Sequence, residues 1–311
     1  MKSKLALYAA FFVLSSVCLG QQWEKNIHLP DSIGVPAGWR SLAYNSRNHT
    51  TYVSGDKSDS ILVVDASTCK AVERIAAGGG VQAMCYNPRD NKLYCSHARA
   101  DTVVVLDGAS HQILAQIGVG HSARAFCFDS LDDKLYVGNW GSGSVRVIDC
   151  GADSVVATVE RGGSGDVPNG MCFVAAHRTV YCTSPDDTAL VAIDCSADTV
   201  LAVIPVSEYA GAVCYNPAND RVYCASWDEG IYGIDAATNR VVSVIPYGYA
   251  GMMACDPVRN VLFVPDGEVL LVVDCSADTV FAQVELDEED AWLAGYSASD
   301  NKIYVVEEGG G

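Results

Sequence analysis

Positive charge, helical periodicity and long apolar runs are all scarce in this chain. Lys and Arg number 20 against 38 Asp and Glu, a formal charge of −18 over 311 residues. That balance repels phosphate backbones and anionic membrane surfaces, which excludes nucleic acid as a partner. No long stretch carries apolar residues at helical spacing, so a helical bundle is excluded. Beyond the first twenty residues nothing is apolar for long enough to span a bilayer as a helix, and no transmembrane segment is expected. Cys-x-x-Cys-His, His-Glu-x-x-His and Gly-x-Ser-x-Gly are all missing. Gly162-Gly-Ser-Gly165 lacks the strand–helix setting that phosphate binding needs. The six histidines, His28, His49, His97, His111, His121 and His177, are dispersed, mostly in loops and turns. The acidic run Glu285–Asp290 matches no calcium-loop spacing and reads as a solvated loop. No metal, no cofactor and no catalytic residue is therefore assigned.

What is present is a repeat. Pairs of apolar residues eight apart recur at Tyr44/Tyr52, Tyr86/Tyr94, Phe128/Tyr136, Phe173/Tyr181, Tyr215/Tyr223, Cys255/Phe263 and Tyr296/Tyr304. Successive second members lie 42, 42, 45, 42, 40 and 41 residues apart. A period near forty built of short strands predicts radial repetition. The reading is an all-β, seven-bladed β-propeller of four-stranded antiparallel blades. The blades fall at about 38–78, 79–120, 121–165, 166–208, 209–248, 249–289 and 290–311 plus 23–29, within one domain of residues 21–311.

Blade two shows the plan. Gln82–Tyr86 and Lys92–Cys95 flank an Asn-Pro turn, Thr102–Asp107 is a third strand, and Gln112–Ile117 is a fourth. Their Val, Ile, Tyr and Thr content suits half-buried pleated surfaces. The third strand ends in Asp in six blades, at Asp65, Asp107, Asp149, Asp194, Asp235 and Asp274. An Asp there can accept from backbone N–H groups two residues on, so it is read as a turn device.

Blocks such as "CYNPRDNKLYCSHARADTVVVLDGASHQILAQIGVG" and "CYNPANDRVYCASWDEGIYGIDAATNRVVSVIP" resemble the YVTN-type propeller repeat of surface-layer and periplasmic proteins. The resemblance covers residues 23–308. It implies the propeller fold and a place at or outside the cell envelope; it implies no particular chemistry. Blade four departs from it, with Val174-Ala-Ala-His-Arg178 in place of the Asn-Pro turn, as does Phe263-Val-Pro265 in blade six.

The two ends carry further expectations. Lys2 and Lys4, the apolar run Leu5–Val17 and the small residue Gly20 have the order of a secretory signal peptide, residues 1–20. Val17 before Cys18 departs from the lipoprotein pattern. The protein is thus read as secreted or periplasmic, and cleavage takes its formal charge from −18 to −20. At the other end, blade seven supplies two strands and stops before a third. Trp23–Leu29 resembles a fourth strand and is expected to close the last blade from outside. That blade is read as incomplete, with the natural chain expected to continue past Gly311.

Thirteen cysteines are present, twelve after loss of Cys18. Cys85/Cys95, Cys172/Cys182 and Cys214/Cys224 each straddle a first hairpin. Cross-strand disulfides and free buried thiols are both open, since export permits oxidation and the equivalent positions elsewhere hold small residues.

A ligand would sit where the fourth-to-first and second-to-third strand loops gather, at the channel mouth. Trp39, Trp140, Trp227 and Trp292 fall on that face, with His121, Tyr209, Tyr247 and Tyr249. Arg40, Gln82, Arg124 and Asn169 begin successive inner strands, polar where a core would be apolar. Arg40 and Arg124 reverse the prevailing sign, and guanidinium groups suit carboxylates. The expected function is a non-catalytic binding module, a monomer, whose partner is a protein, a glycan or a small anionic ligand. Two alternatives stay open: a lactonase- or lyase-type propeller enzyme, and a structural cell-surface repeat protein.

Overall fold

A computed structural model of the chain describes residues 2–11, 20–28, 42–54, 60–68, 70–78, 80–97, 100–160, 170–184, 188–247, 252–286, 291–297 and 302–309. In 2–11, 20–28, 291–297 and, apart from Ile303, 302–309 it describes the backbone alone. The strands form seven antiparallel four-stranded sheets. Six are built from consecutive strands, and the seventh is assembled from both chain ends. Blade two runs Val81–Asn87, Lys92–His97, Thr102–Asp107 and Ile113–Gly118, from innermost to outermost. The chain divides into two compact units, residues 32–210 with blades one to four, and residues 1–31 with 211–311, holding blades five to seven.

Each expected third-strand Asp makes its turn. Asp65 Oδ1 accepts from the backbone N–H of Ser67 and Thr68 at 3.0 and 2.8 Å, and from both their hydroxyls. These bonds favour the charged form and hold its carboxyl down at about 2. Asp107, Asp149, Asp194, Asp235 and Asp274 bond their own turns in the same way. In blade four, Ala175–His177 makes a single 3-10 turn where blades one, two, three, five and six have an Asx turn, and Arg178 closes it at φ 50°.

Blades are tied by a device the repeat pattern did not disclose. Tyr52, Tyr94, Tyr136 and Tyr223 are fully buried. Each hydroxyl reaches the third-to-fourth strand turn of the next blade. Tyr52 donates to the Gly108 carbonyl at 3.3 Å, Tyr94 to that of Cys150 at 3.4 Å and Tyr223 to that of Cys275 at 3.4 Å. Tyr136 donates to Asp198 Oδ1 at 2.6 Å. Two residues before Tyr94, Tyr136 and Tyr223 stands a cation. Lys92 pairs with Asp153 at 2.9 Å, Lys134 with Asp198 at 2.7 Å and Arg221 with Asp278 at 2.6 Å. Those three aspartates sit in the left-handed region, at φ 48°, 52° and 52°. Asp tolerates that region better than most residues, and there the turn presents both carboxylate and carbonyl to the preceding blade.

The last blade has the strand order Gly20–His28, Lys2–Phe11, Lys302–Gly309, Ala291–Ser297. The N-terminal strand is outermost, as expected. The blade is not short of a strand, because Lys2–Phe11, read from sequence as a leader, lies in the third position. It pairs with Lys302–Gly309 on one side and Gly20–His28 on the other.

The six cysteines named as possible disulfide partners are free thiols in this structure. The first hairpins put Cys85 opposite Tyr94, with Met84 opposite Cys95, and Cys172 opposite Tyr181, with Met171 opposite Cys182. Members ten apart are thus one residue out of register, and successive side chains point to opposite faces. Cys214 and Cys224 are free as well. Burial raises the thiols of Cys85, Cys150, Cys195 and Cys224 to about 12.

Two outcomes follow. Tyr136→Phe removes a bond to a charged acceptor and should lower unfolding free energy by about 1.5–3 kcal/mol in chemical denaturation. Tyr44→Phe, an exposed hydroxyl bonded to His49, should cost under about 0.5 kcal/mol. In a thiol titration, the eleven described cysteines should react slowly in the native protein and all of them once it is unfolded. A pair missing under denaturant would show a disulfide.

Candidate functional site

The position singled out at the start of the inner strand is a β-bulge in blades two, three and seven. In blade three, Ala123 pairs with Asn139 and Ala125 with Gly138, so Arg124 is the extra residue. In blade two the same break falls between Val81 and Met84, around Gln82. In blade seven it falls between Ala291 and Leu293, at Trp292. A bulge frees a residue from the ladder and re-aims its side chain. Gln82 and Arg124 are half-buried amid buried neighbours, on inner strands that pack side by side.

Arg124 is built into a network. Its guanidinium carbon lies 4.1 Å from the Trp140 ring centroid, a cation–π contact. Its Nε donates to Ser122 Oγ at 3.2 Å. Ser122 N–H donates to Asp101 Oδ1 at 3.0 Å, and His121 Nδ1 lies 3.1 Å from the same carboxylate. The Ser122 bond, with His121 second, holds the Asp101 carboxyl below its usual range. Trp140 opens a 3-10 turn, Trp140–Ser142, and its N–H donates to the Ser122 carbonyl at 2.9 Å. Gly141 lies against His121; a Cβ there would stand 2.3 Å from the imidazole Cδ2. Loops of blades two and three are thereby fixed to each other around one half-buried cation–aromatic pair.

Trp227 holds the same place in blade five, in the other unit. There the bulge-equivalent residue is Gly211, whose Cβ, if present, would stand 3.9 Å from the indole Nε1. Trp227 is 49% exposed. Trp39, Arg40 and Asn169 lie outside the described residues, and Trp292 is described by its backbone alone. The structure therefore sets Arg124 against Trp140 in the four-blade unit, with Gln82 on the adjacent inner strand, and places Trp227 in the three-blade unit.

Sequence reading missed the supporting residues. Asp101 and Ser122 carry no motif. His97 and Asn139 end equivalent second strands, where they hold the preceding loop. Gly120 N–H donates to Asn139 Oδ1 at 3.0 Å. His97 bonds the Ala77 backbone, while its buried Nε2 has no partner. Among the described residues no group of three His, Cys, Asp or Glu could hold a metal ion. No helix there is long and apolar enough to cross a membrane.

Burial lowers the His97 pKa from its ordinary value of 6.5. The folded state thus favours neutral imidazole. Its contribution is complete above the unfolded value and is lost as the pH falls below it. Thermal unfolding between about pH 7.5 and 5.5 should show this loss, and His97→Asn, copying blade three, should flatten it. An unchanged slope would show that other groups carry it.

No protein-family model matches the chain, and no curated protein matches its sequence. Among solved structures it is similar to a chain of Kuenenia stuttgartiensis hydrazine synthase, at 17% identity over 88% of this chain and 96% of that one, with a TM-score of 0.69. It is also similar to a chain in the crystal structure of a mitotic checkpoint complex, at 15% identity over 90% of each, with a TM-score of 0.72. Both are β-propellers, and the likeness, with the seven four-stranded sheets, shows that fold.

Proposed function

We propose that this chain is a secreted or periplasmic propeller of the YVTN type, cleaved near Gly20, that acts as a non-catalytic binding module through its loop face. The observation that carries this reading is the bulge at Arg124, which sets a guanidinium over Trp140 beside Gln82 on the next inner strand. A bulge is costly in ladder bonds, and polar bulge residues of this kind do nothing for a core. The charge reversal in an acidic protein favours an anionic group, and an indole beside it favours a ring. A small carboxylate or an anionic sugar meets both demands.

Calorimetric titration of uronic acids and small dicarboxylates tests it. Wild type should release or absorb heat with at least one of them. Arg124→Ala should weaken binding at least about tenfold, near 1.4 kcal/mol. Equal heats for both proteins, or none for wild type, would dispose of the reading.

A further inference from the structure

The third strand of blade seven differs in kind from the other six. Ser60–Asp65, Thr102–Asp107 and Val269–Asp274 each bury four consecutive residues, and all six end in the Asp that seats a tight turn. In blade seven that place is held by Lys2–Phe11. Its pairing with Lys302–Gly309 runs from Lys2↔Gly309 to Tyr8↔Ile303. One step further brings Ala9 to the place of the Asp. The next strand begins only at Gly20.

Blade six is suited to such a neighbour. Its buried second-strand residue is Phe263, where blades one, two, three and five have the tyrosine that bonds the next blade's turn. A phenyl ring there needs no acceptor.

The leader reading, on which this inference rests, removes residues 1–20. Once Lys2–Phe11 leaves the third position, Lys302–Gly309 loses the ladder on its outer side, and the outer N-terminal strand loses its ladder too, so each presents a row of unpaired N–H and C=O groups. We propose that the mature protein takes an extended polypeptide strand of a partner into this position, by β-strand addition. Third strands here are buried on both faces, so the partner segment should carry about four consecutive apolar residues rather than an alternating pattern. A polar residue within that run would be buried without a partner. The edge also selects by charge. Lys4 is in register with Glu307, and Ser3 with Glu308. A basic residue ahead of the apolar run therefore fits, as cross-strand pairs of opposite charge do.

The test uses the full-length gene product in two forms, exported and retained in the cytosol. N-terminal sequencing reads the leader. A labelled peptide of residues 2–11 is then titrated into both, beside the same peptide with Leu5→Asp and Leu7→Asp. The exported form should begin at Gln21 and bind the peptide at least tenfold more tightly than its Asp variant. The retained form should not bind it. An exported form that begins at Gln21 but binds neither peptide, or both alike, overturns the strand position and leaves the leader standing. So does a retained form that binds as tightly. An exported form that still begins at Met1 overturns the leader reading, and with it the vacancy.

Discussion

The hydrogen bond from a buried tyrosine to the neighbouring blade's turn is the constraint on which the repeat depends. A phenol deep in a core must find an acceptor, because an unpaired hydroxyl there costs about as much as a bond contributes. The acceptor is a turn carbonyl or a turn carboxylate, and the turn keeps its shape only because an Asp one strand earlier ties its N–H groups. The period near forty is then a statement of geometry. Tyrosine, turn and charged pair must recur at fixed offsets for adjoining sheets to stay at the same spacing. The ion pairs add to this without dominating it. They are largely shielded from solvent, and losing one partner would cost more than the pair contributes.

The repeat made the fold legible, since aromatic spacing, Asn-Pro and Asp turns and β-branched strands all pointed one way. The clamp itself was not legible. Lys134 and Asp198 lie 64 residues apart, and Asp198 looked like part of a local turn. What the sequence could not say is that its carboxylate faces backward, toward another blade. The cysteines show a second limit. A spacing of ten across a hairpin suggests opposed thiols, but a shift of one residue in register sends them to opposite faces. Register depends on the length of the turn, and here the turn sets Cys85 against Tyr94. Ten of the twelve mature thiols recur at three repeat positions, where they alternate with Ala, Gly or Val, as small buried side chains would.

The site was legible only as a position. Polar residues four before each first-strand aromatic looked wrong for a core, and the structure shows why they stand there: the ladder breaks around them. A bulge is a property of two paired strands, so neither strand's sequence alone announces it. The same holds for Asp101 and Ser122, which act through loops of different blades.

Clamp and bulge divide the repeat into two kinds of position. At the clamp a buried ring recurs in the second strand, a tyrosine in every described blade but the sixth, because each must fit a neighbour built on the same plan. At the bulge they vary freely: Gln82, Arg124, Gly211, Trp292. The adjoining loop follows suit, with an indole against Arg124 in one unit and an indole against Gly211 in the other. Packing constrains the first set, and nothing in the scaffold constrains the second. Variation at bulge positions is what a scaffold leaves to recognition, since a side chain released from the ladder can change without disturbing the sheet. In blade three that freedom sets a positive charge against an aromatic face. In blade five a glycine stands opposite the indole instead.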